Sequence, residues 1–162
     1  MRGRTPRAPQ STQERIAVHG FSSNGRKELR YVRFKEFGAR YDDEQRERLE
    51  TVRPAWSTRF GAALRHAGEC IAQEDRSLKF IILVTDGEPF DIDVFDSRYL
   101  IEDARHAVRT LAARGIRARC IGVESGEHTA IRKIFGPANA VTVVRSSRLK
   151  DTLSKMLEEL AA

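Results

Sequence analysis

Two hydrophobic periods share this chain. Ile16–Phe21 is a short strand-like run that ends in the turn-forming cluster Ser22-Ser23-Asn24-Gly25. Leu29–Phe37 then alternates in character, so the two runs predict an antiparallel hairpin with a wide loop. Asp42 or Asp43 is placed to cap a charged helix that runs to about Val52 and is stopped by Pro54. From Thr58 the period turns helical, with Phe60, Ala63, Leu64, Ala67 and Ile71 on one face and Ser57 or Thr58 as the natural N-cap.

Phe80-Ile81-Ile82-Leu83-Val84 is apolar at every position, the pattern of a central strand covered on both faces. A helix striped by Leu100, Ala104, Ala107 and Leu111 follows, closed by Gly115. Ile116–Val123 reads as a strand, Ala130–Phe135 as a short helix, Ala140–Val144 as a strand, and Leu149–Leu160 as a last helix. This alternation predicts an α/β fold: three layers, with a doubly wound, mostly parallel sheet between helices. There is no internal repeat.

At 162 residues the chain has the length of one domain. Residues 1–14 carry prolines, Gly3 and arginines, with no acid from Met1 to Gln13, which predicts a disordered basic tail before a folded part at 15–162. Charged residues are 32 % and hydrophobic ones 40 %, with a mean hydropathy of −0.50, so the chain is polar but not poor enough in apolar residues to be disordered. No run is long enough to span a membrane and no signal-peptide core is present; the expected compartment is the cytoplasm. Cys70 and Cys120 form no metal pattern and are read as buried apolar side chains. Lys and Arg exceed Asp and Glu by 29 to 23, giving +6. The densest basic stretches, Arg105–Arg109 and Arg114–Arg119, lack interleaved aromatics, so a solvated face is their default reading.

Ligands in open α/β sheets bind beyond the C-terminal ends of the strands. The most apolar strand ends in Thr85-Asp86-Gly87-Glu88-Pro89, and Thr58 can reach the same rim. A hydroxyl and a carboxylate are two oxygen ligands for a hard cation such as Mg²⁺; equally, Thr58 caps its helix and Asp86 sets a turn. Asp86, Asp91 and Asp93 invite comparison with a small metal-dependent phosphohydrolase, although Asp91 lies five residues past the strand end. A basic nucleic-acid-binding protein is a third reading, marked by steep salt dependence. His19, His66, His106 and His128 lie on different elements without ligand spacing, and no phosphate-binding glycine loop or nucleophile elbow occurs.

Four stretches carry a family resemblance: His19–Arg26, Ser57–His66, Leu83–Asp93 and Arg98–Arg105. They resemble the C-terminal von Willebrand factor A-like domain of NorD- and CbbO-type activation proteins, which are associated with nitric oxide reductase maturation and Rubisco activation. The resemblance runs from about Arg15 to the C-terminus. It implies a Rossmann-like fold and a non-enzymatic protein-interaction module that works with a MoxR-type AAA+ ATPase on a client enzyme. It also implies a metal-ion-dependent adhesion site in which Thr58 and Asp86 match the threonine and aspartate ligands. The Asp-x-Ser-x-Ser loop and the first strand have no counterpart, so the domain reads as N-terminally truncated. Ser22 is the nearest substitute hydroxyl, and Mg²⁺ binding is expected to be weak. Because that strand lies mid-sheet, the resemblance also implies open edges on Ile16–Phe21 and Lys79–Thr85, with either a slot or a forced direct pairing between them. A strand from another chain is an expected partner for that slot.

Overall fold

The computed structural model describes residues 15–25, 27–40, 42–51, 57–123 and 129–161, without the side chains of 146, 160 and 161. The predicted tail at 1–14 and His128 lie outside the described residues, as does the stop of the first helix at 52–54. The strands are β1 (Val18–Asn24), β2 (Glu28–Lys35), β3 (Lys79–Thr85), β4 (Ile116–Val123) and β5 (Ala140–Val143). The helices are α1 (Asp43–Glu50), α2 (Phe60–Ala72), α3 (Ser97–Ala113), α4 (Thr129–Phe135) and α5 (Leu149–Ala161). The chain divides into two compact units; the smaller takes 15–20 and 31–51, the larger Phe21–Arg30 and 57–161.

In the smaller unit the His19 ring stands edge-on to Tyr31 with centroids 5.2 Å apart, and its Nδ1 lies 2.9 Å from the tyrosine hydroxyl. Asp42 caps α1 through a capping box: its carboxylate accepts from the Gln45 N–H, and the Gln45 side chain accepts from the Asp42 N–H. No residue of α1 is buried, and its interior is held by ion pairs such as Arg48–Glu44. Such exposed pairs add only tenths of a kcal/mol each, roughly 0.3–0.5 in a helix.

The larger unit is built on the parallel sheet β3-β4-β5, in which Lys79 lies opposite Ile116 and Cys120 opposite Ala140. Strand parity sorts its core into two faces. Leu83, Ala118 and Cys120 pack with Phe60 and Leu64 of α2, Ala104, Ala107 and Leu111 of α3, and Ile131, Ile134 and Phe135 of α4. Ile121, Val123 and Val143 pack with Met156 of α5, joined by Phe80 and Ile82. Helices thus lie on both faces, as the strand–helix alternation predicts. Gly115 takes φ +75° where α3 ends, the left-handed turn a C-terminal glycine supplies. Cys120 is fully buried, which pushes its thiol pKa up to about 12, whereas Cys70 is only half-buried.

Two expectations need correction. The N-cap of α2 is Arg59, without a side-chain cap; Ser57 and Thr58 instead form backbone bridges to other segments. Among the described residues, Phe80–Val84, read as central, belongs to a strand that pairs on one side alone, while β4 is paired on both. The hairpin strands β1 and β2 form a separate two-stranded sheet, so β1 and β3 do not pair. Among the described residues no helix is long and apolar enough to cross a membrane.

Candidate functional site

The C-terminal rim of the larger unit is assembled from Ser23 at the end of β1, the Ser57–Arg59 segment, and the loop 86–96 between β3 and α3. Ser57 exchanges two backbone hydrogen bonds with Ser23, at 2.8 and 2.9 Å, and Thr58 exchanges two with Phe90, at 2.9 and 3.4 Å. Ser57–Thr58 is therefore a two-residue strand bonded on both sides. Its sequence is short and polar, so no periodicity signals it.

Beneath these bridges Asp91 is buried at 1 % exposure. Its Oδ2 accepts a hydrogen bond from Arg59 Nε at 2.8 Å and a longer one from Ser23 Oγ at 3.4 Å, and its Oδ1 accepts from the Asp93 N–H at 3.2 Å. Ser23 Oγ in turn accepts from the Arg59 N–H at 3.3 Å. Burial alone would raise the Asp91 pKa. The bonds from Arg59 and Asp93, the Arg59 charge and the Ser23 hydroxyl together outweigh it and hold the carboxyl below its ordinary value. This ionised, enclosed carboxylate is a tie between three segments. Sequence reasoning set Asp91 in a polar turn and missed Arg59 altogether; an acid five residues past a strand carries no signal of its partner.

The loop is pinned at its other end by Glu88. Its carboxylate accepts from the Ala130 N–H at 3.1 Å and from Thr129 Oγ1 at 3.5 Å, serving the first turn of α4, and its carbonyl accepts from Thr58 Oγ1 at 3.1 Å. Thr85 Oγ1 accepts from the Gly87 N–H and donates to the Gly87 carbonyl, closing the turn after β3. With its underside fixed, the loop turns its large apolar groups outward. Phe90 is 60 % exposed, Ile92 56 % and Phe95 fully exposed, and Tyr99 at the start of α3 is exposed too.

The proposed metal ligands fare differently. Thr58 spends its hydroxyl proton on the Glu88 carbonyl, Asp86 is exposed, and Ser22 is half-buried on β1. Among the described residues, no group of three His, Cys, Asp or Glu side chains gathers in a way that could hold an ion. Two hydroxyls and one carboxylate group offer only part of the six oxygens that Mg²⁺ takes in near-octahedral order. The basic stretches are largely neutralised: Arg105 pairs with Glu102, Arg114 with Glu69, and Arg119 with Glu159.

The von Willebrand factor type A domain family matches residues 7–159. Protein NorD of Stutzerimonas stutzeri is 36 % identical over 130 residues, covering 80 % of this chain and 21 % of that protein. An uncharacterized protein of Pseudomonas aeruginosa is 31 % identical over 153 residues, 94 % of this chain and 25 % of that protein. Protein NorD of Brucella melitensis biotype 1 is 28 % identical over 148 residues, 91 % and 23 %. The chain thus spans about a quarter or less of these relatives' length. Among solved structures, the pilus adhesin SpaC from Lactobacillus rhamnosus GG aligns with a TM-score of 0.65 at 13 % identity, over 90 % of this chain and 25 % of that one. BatB from Bacteroides thetaiotaomicron aligns at 0.60 and 16 % identity, over 91 % and 80 %. At these identities the structural matches speak for the fold alone.

Proposed function

This chain belongs to the von Willebrand factor type A domain family, and from that premise we propose that it is a non-enzymatic, cytoplasmic protein-interaction module with a NorD-like accessory role. In this reading it grips a client enzyme, nitric oxide reductase or Rubisco, while a MoxR-type AAA+ ATPase partner supplies the work. The relatives named NorD support the accessory role; the ATPase partnership and the client rest on the resemblance alone.

The observation that carries the reading is the loop 86–96. Glu88 and the Asp91–Arg59 pair fix it from below, while Phe90, Ile92 and Phe95 project into solvent. A rigid loop with apolar side chains facing out is costly in a free protein and useful in a bound one, because little ordering entropy remains to be lost on association. The test is binding of the full chain to a purified MoxR-type ATPase, comparing wild type with Phe95→Asp. Phe95 is fully exposed, so the substitution leaves the fold intact. We expect saturable binding that weakens about tenfold or more in the variant, a loss of roughly 1.4 kcal/mol. No binding by the wild type at about 100 µM would overturn the ATPase partnership.

A further inference from the structure

The larger unit carries opposite characters at the two ends of its sheet. At the C-terminal ends of the strands, the loop 86–96 holds five carboxylates and no base, although the whole chain carries +6. Two of the five are neutralised, Asp91 by Arg59 and Asp96 by Arg98, whereas Asp86 is exposed without an ion pair. Between Asp93 and Asp96 stands Phe95, fully exposed on a loop that Glu88 and Asp91 hold from below. At the N-terminal ends, where β3 and β4 begin, lies an open cavity of about 270 Å³. It is lined by the apolar Leu78, Phe80, Ala112 and Ile116 and the cationic Lys79 and Arg117. Leu78 is 55 % exposed, and Arg117 is exposed without an ion pair. The Lys79 ammonium donates to the Ala72 carbonyl at 3.1 Å, a neutral partner that leaves its charge in place.

We propose that the two ends fit one another across molecules: the Phe95 ring of one copy seats in the cavity of the next, with the acids of its loop facing Lys79 and Arg117. Size agrees. A closed cavity of roughly 150 Å³ holds a benzene ring, so this one admits a phenyl group. Charge agrees as well. The anchor lies among acids and the acceptor among bases, on a chain whose net charge would otherwise set its copies against each other. The contact does not close within one molecule, because the seven residues of β3 separate loop from cavity by roughly 20 Å and the loop is fixed. It is therefore heterologous. Every copy offers one anchor and one acceptor, and copies join head to tail into a ring or an open chain. While joined, Phe95 is covered, so self-association competes with any partner that grips the same loop. The inference does not rest on the ATPase reading, since it needs no molecule other than this chain. One aromatic anchor ringed by charges makes a small interface, and a dissociation constant of about 100 µM is expected.

Sedimentation equilibrium of the full chain at low ionic strength, from about 10 µM to about 1 mM, tests this. The average mass of the wild type should rise with concentration. Phe95→Asp removes the anchor and Ala112→Trp fills the cavity, and each should weaken association about tenfold or more. Mixed in equal amounts, the two variants should form a one-to-one dimer and nothing larger, because one intact anchor then meets one intact cavity. Ala112 and Arg117 are both exposed; if Ala112→Trp does not fold, Arg117→Glu takes its place alone and in the mixture. A wild type that stays monomeric at about 1 mM overturns the proposal. So does a variant that associates like the wild type, and so does a mixture that stays monomeric or grows beyond a dimer.

Discussion

Asp91 and Arg59 form a nearly closed pair, with side-chain exposures of 0 % and 14 %. Removing one partner of such a pair leaves the other buried and uncompensated, which costs far more than a surface pair contributes. Asp91→Ala is therefore expected to destabilise the protein by about 3 kcal/mol or more, measured by urea unfolding, with Asp91→Asn milder because it keeps acceptor oxygen for Arg59 and Ser23. The same residue sets an acid dependence. Its folded pKa lies below its unfolded value, so its contribution is complete above about pH 4 and is lost as pH falls through the folded pKa. The stability gap between wild type and Asp91→Asn should then narrow as unfolding curves are taken from pH 6 towards pH 3. A gap that is constant with pH would mean that Asp91 is not held ionised by Arg59. Cys120 makes a further point at this scale. Its burial and raised pKa predict that only Cys70 reacts with a thiol reagent in the native chain.

Among the elements, α2 and α3 approach closely because glycines line the contact. A Cβ on Gly61 would fall 2.0 Å from Asp103 Oδ2, and one on Gly68 would fall 2.4 Å from Leu111 Cδ2. Leu111 is 2 % exposed and has no room to swing away. Alanine normally gains up to about 1 kcal/mol over glycine inside a helix, but overpacking of this kind costs about 1–3 kcal/mol. Gly68→Ala is expected to lower the melting temperature, whereas Gly87→Ala, with open space around it, should change it little. Equal effects would show that the seam is looser than these distances. The helices themselves were legible in the sequence: the three-to-four spacing of Phe60, Ala63 and Leu64 and of Leu100, Ala104, Ala107 and Leu111 is what the core clusters use. The start of α2 was not. Ser57 looks like an N-cap, but its backbone goes to Ser23, a partner 34 positions away that no local pattern announces. For the same reason the loop 86–96 read as a polar turn. Its acids alternate with Ile92, Val94 and Phe95, and only the long-range bonds of Glu88 and Asp91 decide which set faces out.

At the scale of the whole molecule, the apolar run of Phe80–Val84 was legible as a strand made for the middle of a sheet. Its actual place was not, because order within a sheet depends on every other strand present. The metal site is a property of this same scale, since its ligands must converge from several loops. Thr58 and Asp86 are on the rim segments expected of them, but identity of residues does not amount to a coordination sphere. The Thr58 hydroxyl is spent on Glu88, and among the described residues no acidic cluster stands opposite. Mg²⁺ gives up its water reluctantly, and a site that supplies two or three oxygens leaves most of the sphere to solvent with little gain over the free ion. Titration calorimetry of the full chain with Mg²⁺ is expected to show no saturable binding below about 1 mM, which corresponds to less than about 4.1 kcal/mol. Nor should Mg²⁺ raise the melting temperature, since a ligand stabilises only in proportion to its occupancy of the native state. A dissociation constant in the low micromolar range that is abolished by Asp86→Ala would show instead that the rim gathers more oxygens than Thr58, Asp86 and Ser22. The adhesion-type metal chemistry would then belong to this chain alone.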